Sequence, residues 1–460
     1  MGGLLAFTHG LFTLSIYIGC IVFALISAFW RPQLGVYYLA LFMPLQTLRY
    51  RLIGYPAGEK FVDILVLGIF LGILTHRSGA AWVRTRLGMI LVAWALFLYV
   101  SLWFGSAYLH APWPITLANV RFSDWKNYIE LPFFLFLTAA AITNKRQIKI
   151  LLAVMALSFL IVNRGFYDNM NGRDIASFSY DVRDPGPLGY AGVNGLAAFE
   201  ATGMLFMVAM LSFKISRYAK FAIYGLLATG MYCLLFAFSR GGYVSFLGGL
   251  AFLGLVRSRK LLVLVAVVVI GWQTLLPISV QQRITMTVDD SGTLDPSVQR
   301  RIDLWTDAEQ IINENMVFGT GFDTYAFMDR FEGFHDTHNY FVKITLETGI
   351  IGLLFFLFIL WRMFALGWRL FRTSTDPFMA ALGLGFATLM VGTVFANFFG
   401  DRFSYLQVNG FMWMLMGLVV RALAINEQEA LNPAVSVGLV STNSAQRGVP
   451  EFANRPLVSV

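Results

Sequence analysis

Charge and cysteine are both scarce in this chain of 460 residues. Asp, Glu, Lys and Arg together make up 13%, against 57% hydrophobic residues and a mean hydropathy of +0.66. A soluble globule of ordinary composition is excluded, because the polar surface needed to cover such a core is missing. The two cysteines, Cys20 and Cys233, both lie inside apolar runs. Neither a disulfide framework nor a cysteine-based metal site can be built from them. The N-terminus lacks a basic region and a small-residue cleavage site, so the first apolar run reads as a retained span. There is no P-loop and no GxGxxG in a strand–turn–helix setting, nor an internal repeat of the kind found in many transporters.

What the chain has in abundance is apolar runs of membrane-crossing length. They fall near 11–30, 34–48, 61–75, 87–104, 129–143, 147–162, 191–213, 219–238, 243–256, 260–277, 339–361, 378–396 and 404–424. The expected fold is all-α: a polytopic membrane protein of 12 or 13 transmembrane helices with one large, partly helical extracytoplasmic loop. Residues 1–277 would hold the first ten spans, 278–337 the large periplasmic loop, and 338–424 the last spans. Residues 425–460 lose the apolar runs and are expected to form a disordered cytoplasmic tail.

The basic residues set the orientation. Arg77, Arg84 and Arg86; Lys145, Arg146 and Lys149; Lys214, Arg217 and Lys220; Arg257, Arg259 and Lys260; and Arg362, Arg369 and Arg372 occupy alternate short loops almost free of acid. The positive-inside rule makes those loops cytoplasmic. The formal net charge of +8 is therefore mainly a topological signal, and a nucleic-acid partner is not implied.

The loops 49–60, 105–128, 163–190 and 278–337 are longer, mixed in charge, and face outward. Loop 105–128 joins aromatics to Arg121, Asp124 and Lys126; sugar contact is one reading, an interfacial aromatic belt the preferred one. Loop 163–190 mixes Arg164, Arg173 and Arg183 with Asp168, Asp174, Asp181 and Asp184, a composition expected of a solvated, internally paired loop. Ser239-Arg240-Gly241-Gly242 is different. It joins two apolar runs directly with no acid nearby in sequence; an ionisable residue at membrane depth is by default a candidate that faces a cavity or a partner, and snorkelling to the headgroups is the other reading.

The densest polar chemistry lies in residues 300–352. Arg300, Arg301 and Trp305 fall in an expected helix, Arg301 and Trp305 on one face. Stacking on the indole, or pairing with Asp303 or Asp307, is the bland reading of that arginine. His338 stands where an apolar helix begins, with Asp336 or Thr337 as expected N-cap. The positive end of the helix macrodipole disfavours imidazolium there, so a general base is a reasonable role. Beyond it Asn339, Lys343 and Glu347 recur at helical spacing and should face the site or the loop rather than lipid. His335 and His338 also make a His-x-x-His pair, but no third ligand is fixed nearby, and no metal and no cofactor are expected.

These residues carry a family resemblance. His338-Asn339 followed by Gly349-Ile-Ile-Gly352 resembles the His-Asn-x9-Gly-x-x-Gly pattern of bacterial O-antigen ligases. Arg300 with Leu304 fits that family's Arg-x3-Leu, and Arg301 with Trp305 fits the related Arg-x3-Trp. The glycine-rich turn at 319–325, the Ser-Arg-Gly-Gly at 239–242, and the segment 186–197 with Asn194 complete the ordered set. O-antigen polymerases and protein O-glycan ligases of the same superfamily share these motifs.

The resemblance implies a glycosyltransferase without a metal. Its donor would be an undecaprenyl-diphosphate-linked glycan and its acceptor a hydroxyl of a glycan, lipid A-core or protein, at the periplasmic face of the inner membrane. Arg240, Arg301 and Arg300 would hold the diphosphate, Arg301 being preferred over Arg300. His338 would deprotonate the acceptor, with Asn339, Trp305 and Asn194 in support. A polymerase is the alternative within the class, and a polysaccharide flippase the alternative outside it.

Overall fold

The computed structural model describes residues 2–75, 85–286, 295–331 and 336–431. Arg77, Arg84, His335, the polar run 287–294 and the tail beyond Leu431 lie outside the described residues. Among the described residues there are sixteen α-helices and no strand. The first seven are α1 (Gly2–Phe29), α2 (Pro32–Phe42), α3 (Gln46–Leu52), α4 (Phe61–Thr75), α5 (Arg86–Tyr108), α6 (Val120–Ala141) and α7 (Lys145–Met170). Next come α8 (Gly192–Leu211), α9 (Arg217–Phe236), α10 (Arg240–Val256), α11 (Arg259–Leu275), α12 (Ile278–Thr285) and α13 (Pro296–Glu314). The chain closes with α14 (Tyr340–Thr373), α15 (Pro377–Asn397) and α16 (Leu406–Leu431).

The protein is an all-α polytopic membrane protein. Eight described helices are long and apolar enough to cross a membrane: α1, α5, α7, α8, α9, α14, α15 and α16. A ninth results if α11 and α12, bent by 107° at their junction, count as one span. That is fewer than the 12 or 13 expected, for identifiable reasons. The run 34–48 is cut by Pro44 into α2 and α3, α4 has 15 residues and α10 has 17, and α6 opens on the polar stretch Arg121–Glu130. The last helix also runs past the expected boundary at 424 to Leu431, held by ion pairs Arg369–Glu427 and Lys145–Glu429.

Helices α15 and α16 form the centre, with α8, α10, α14 and α6 packed around them. Leu382, Leu384, Phe386, Met416, Leu418 and Val420 are fully enclosed there. Helix α11 is the opposite case. It is apolar yet has no buried residue, and Val263, Val267 and Ile270 face outward. An outer face of this kind costs nothing in hydrocarbon and suits lipid contact.

Helix α14 is two helices in line. Gly349 breaks it with φ 67 and ψ −173, and the glycine-rich turn docks into the break. Thr320 N donates to Leu346 O at 2.9 Å, Gly321 N to Glu347 O at 2.7 Å, and Ile350 N to Met316 O at 2.9 Å. Backbone groups freed by the break are thus satisfied by the loop, as membrane depth requires. A Cβ on Gly349 would lie 2.1 Å from Val317 O. We expect Gly349→Ala to lower stability by about 2–4 kcal/mol through left-handed strain and overpacking. Thermal unfolding in detergent reads this out, with Gly225→Ala, where a Cβ meets nothing within 4 Å, expected to be near neutral.

Candidate active site

Two motifs meet at the start of α10. Ser239 caps the helix by accepting from Gly242 N, and its hydroxyl donates to Asn194 Oδ1 at 2.8 Å. The same Asn194 oxygen accepts from Arg183 Nη2 at 3.1 Å. Asn194 therefore ties the 186–197 segment to the Ser-Arg-Gly-Gly turn, more than the supporting cap expected of it. Arg240, the first residue of α10, donates to Met286 O at 2.9 Å and faces Asp295 at 3.5 Å.

Asp295 organises this corner. It caps α13, accepting from Ser297 N and Val298 N, with Pro296 at the first helical position. It also accepts from Tyr180 Oη at 2.8 Å and Arg283 Nη1 at 3.1 Å. Burial favours its neutral form, but the Tyr180 hydrogen bond and the Arg283 and Arg240 charges hold its carboxyl below the usual range. Arg283, only 3% exposed, lies over the rings of Phe178 and Tyr180 and donates to Phe238 O. Sequence reasoning missed it, since nothing local marks it.

Five guanidinium groups share this region: Arg183, Arg240, Arg283, Arg301 and Arg402. Arg183 is a correction to the reading of loop 163–190. The internal pairing expected there exists, Arg173 with Asp184 at 2.6 Å and Arg164 with Asp168 at 2.8 Å, but Arg183 turns inward. Burial, and then the charges of Arg283 and Arg301, lower it to about 10. Arg301 is lowered likewise, by burial first and then by Arg240, Arg402 and Arg283. Arg402 is only 7% exposed and was not singled out from the sequence. Among the described residues, neither the Arg301 nor the Arg402 guanidinium has a hydrogen-bond or ion-pair partner. Asp303 accepts from Gln299 and Asp307 from Arg330, so the bland pairings proposed for Arg301 are not made. Arg300, its neighbour, is exposed.

Trp305, one turn beyond Arg301, donates from Nε1 to Thr337 O at 2.9 Å. This bond fixes the arginine helix against the residue preceding His338. His338 is outside α14, with a left-handed φ of 51. The cap is Asn339, whose Oδ1 accepts from Phe341 N and Val342 N, and not Asp336 or Thr337 as expected. Asp336 instead holds the histidine. Its Oδ1 accepts from His338 N at 2.5 Å and lies 3.0 Å from Nδ1. Burial opposes ionisation of Asp336, yet the His338 contacts hold its carboxyl well below the usual range. A carboxylate at this distance stabilises the imidazolium that forms when the ring takes a proton.

Beside Asp336 opens a cavity of about 930 Å³. Lys343 and Glu347 line it, as the polar stripe on α14 anticipates, and Lys343 Nζ pairs with Asp401 at 3.1 Å. Asp124 and Lys126 line it too, so the charges of 105–128 belong to the protein interior. Arg121 is buried between Ser106 Oγ and Phe322 O. Of that loop's aromatics, Trp113 stays exposed, in keeping with a belt. Among the described residues no group of three or more His, Cys, Asp or Glu is placed to hold a metal ion.

Comparison with known proteins agrees with the motifs. A search of curated proteins finds no relative that matches this chain. Residues 225–357 match the family model described as O-Antigen ligase, a span that contains Arg240, Arg283, Arg301, Trp305, His338 and the Gly349 break. That match, over somewhat less than a third of the chain, supports a relation to the superfamily of O-antigen ligases and polymerases.

Proposed function

We propose that this protein transfers a glycan from undecaprenyl diphosphate to an acceptor hydroxyl at the outer face of the inner membrane, as an O-antigen ligase does. The observation that carries the reading is a pair of guanidiniums, the half-buried Arg301, whose Nε is enclosed, and the buried Arg402, left without an ion-pair partner among the described residues near the Asp336–His338 pair. A buried cation without a counter-charge costs several kcal/mol, which a bound anion offsets. The planar fork suits phosphate oxygens.

In the reaction the acceptor oxygen attacks the anomeric carbon as the carbon–oxygen bond to the diphosphate breaks. The electron pair leaves with the diphosphate, whose growing charge the arginines stabilise. His338 takes the acceptor proton. The alternation of basic short loops with long mixed ones supports a periplasmic side for this chemistry.

Membranes carrying the protein, supplied with a lipid-linked glycan and an acceptor, are expected to transfer without ATP and to keep transferring in EDTA. The arginines would supply the electrostatic stabilisation that a divalent ion supplies elsewhere. Loss of transfer in chelator, restored by Mg²⁺ or Mn²⁺, overturns the arginine mechanism. Transfer onto a growing repeat-unit chain rather than a distinct acceptor identifies the polymerase member of the superfamily.

A further inference from the structure

The cavity beside Asp336 has the opposite electrical character to the arginine corner. Its lining carries eight carboxyl side chains against four Lys or Arg, and none of the five arginines described above contributes to it. Five of those charges are paired with one another. Lys126 pairs with Asp63 and Glu130, Lys343 with Asp401, and Ser404 Oγ donates to Asp401.

Glu347 is not among the paired groups. It is 1% exposed, lines the cavity, and leaves Oε1 with no hydrogen-bond partner. An unmet buried carboxylate oxygen carries a desolvation cost of about 1–3 kcal/mol or more, which a donor supplied by a ligand removes. Asp323 stands above it on the turn that docks into the α14 break. Burial and the neighbouring Glu347 charge push its carboxyl well up, and its Oδ2 likewise has no hydrogen-bond partner.

Aromatic faces complete the lining: Tyr128, Tyr190, Phe322, Tyr340 and Tyr405. Carboxylates that accept from hydroxyls, beside rings that stack on the apolar face of a pyranose, are the chemistry of saccharide binding. The net negative lining repels phosphate-bearing groups. Asp336 belongs to the cavity wall and lies 3.0 Å from His338 Nδ1, so the cavity opens next to the base.

From this geometry we propose that the cavity is the acceptor subsite, and that Glu347 and Tyr190 select a hydroxyl-rich saccharide that is uncharged or amine-bearing and reject a phosphorylated one. The proposal rests on the transferase reading above for the word acceptor, and on the cavity alone for saccharide binding and charge selection. Donor and acceptor are thereby sorted by sign, the diphosphate to the arginines and the hydroxyls to the carboxylates.

The test uses the full-length purified protein and three probes: chitotriose, its de-N-acetylated cationic form, and chitotriose bearing a phosphate monoester. Titration should rank the cationic form at or above the neutral one, and the phosphorylated form at least about tenfold weaker. Glu347→Gln keeps the shape but loses charge and one acceptor, and should weaken the neutral trisaccharide about tenfold. Tyr190→Ala, at a position 68% exposed and so safe for folding, should weaken it as well through lost stacking. Undecaprenyl diphosphate binding should be unchanged by both.

Equal or tighter binding of the phosphorylated probe overturns the proposal. So does failure of any probe to bind, or indifference of binding to both substitutions. Saccharide binding with the expected ranking but no transfer from any lipid-linked donor leaves the subsite standing and sinks the transferase reading, so the two are separable.

Discussion

Replacing His338 by alanine is expected to reduce glycan transfer by about 10²–10⁴-fold, the usual worth of a positioned general base. The side chain lies before the first turn of α14 and is not part of the packed core, so membrane insertion and abundance should be those of the parent. Donor binding should survive, because Arg301 is carried by α13 and Arg402 by the turn between α15 and α16, and not by the imidazole. Asp336→Asn is the companion experiment. It preserves shape at 3.0 Å from Nδ1 but removes the charge that stabilises the imidazolium, so a loss smaller than that of His338→Ala is expected. Abundance, donor binding and transfer measured on the same preparations separate these outcomes. Near-parental turnover in His338→Ala rules out the general-base assignment.

The membrane class was legible because scarcity of charge is a property of composition that no tertiary contact can alter. The motif residues were legible too, and the structure gives the reason for their spacing. Nine residues separate Asn339 from Gly349 because the first half of α14 must place Tyr340, Lys343 and Glu347 toward the cavity before breaking where the Gly319–Gly321 turn docks. Residues set by distant contacts were not legible. Arg283 gains its meaning from Asp295, Tyr180 and Phe178. Arg183 sits among acids in sequence, and those neighbours suggested a solvated loop, whereas the fold turns it to Asn194. Arg402 could have been found. It lies between two long apolar runs as Arg240 does, and membrane depth points to it too, although Asp401 beside it in sequence offers a local partner that Arg240 lacks. Helix count suffered for a related reason. The polar first half of α6 is stabilised inside the protein by Arg121 and by the Lys126 ion pairs, which hydropathy alone does not reveal.

The arginines themselves should separate into two groups when changed to lysine. Arg301 and Arg402 have guanidiniums with no protein partner among the described residues, so their planar forks are free to meet a diphosphate. Lysine keeps the charge but offers a point donor instead of two parallel ones. Each of Arg301→Lys and Arg402→Lys is expected to cost about 1.5–3 kcal/mol of donor and transition-state binding, a fall in kcat/KM of roughly 10–100-fold. Thermal stability should change little, because no internal contact is lost. Arg283→Lys should do the reverse. Its guanidinium is spent on Asp295, Phe238 O and two aromatic faces, so lysine leaves buried Asp295 poorly paired and the start of α13 loosened. A lower unfolding midpoint is then the primary effect, with activity falling only as the Arg301 helix is displaced. Arg240 stands between the groups, since Asp295 and Met286 O already engage it, and Arg300→Lys, at an exposed position, should be nearly silent. Measuring donor affinity and the thermal midpoint for all five variants decides the assignment. Silent Arg301→Lys and Arg402→Lys beside a severe Arg300→Lys would move the diphosphate site to the other face of α13.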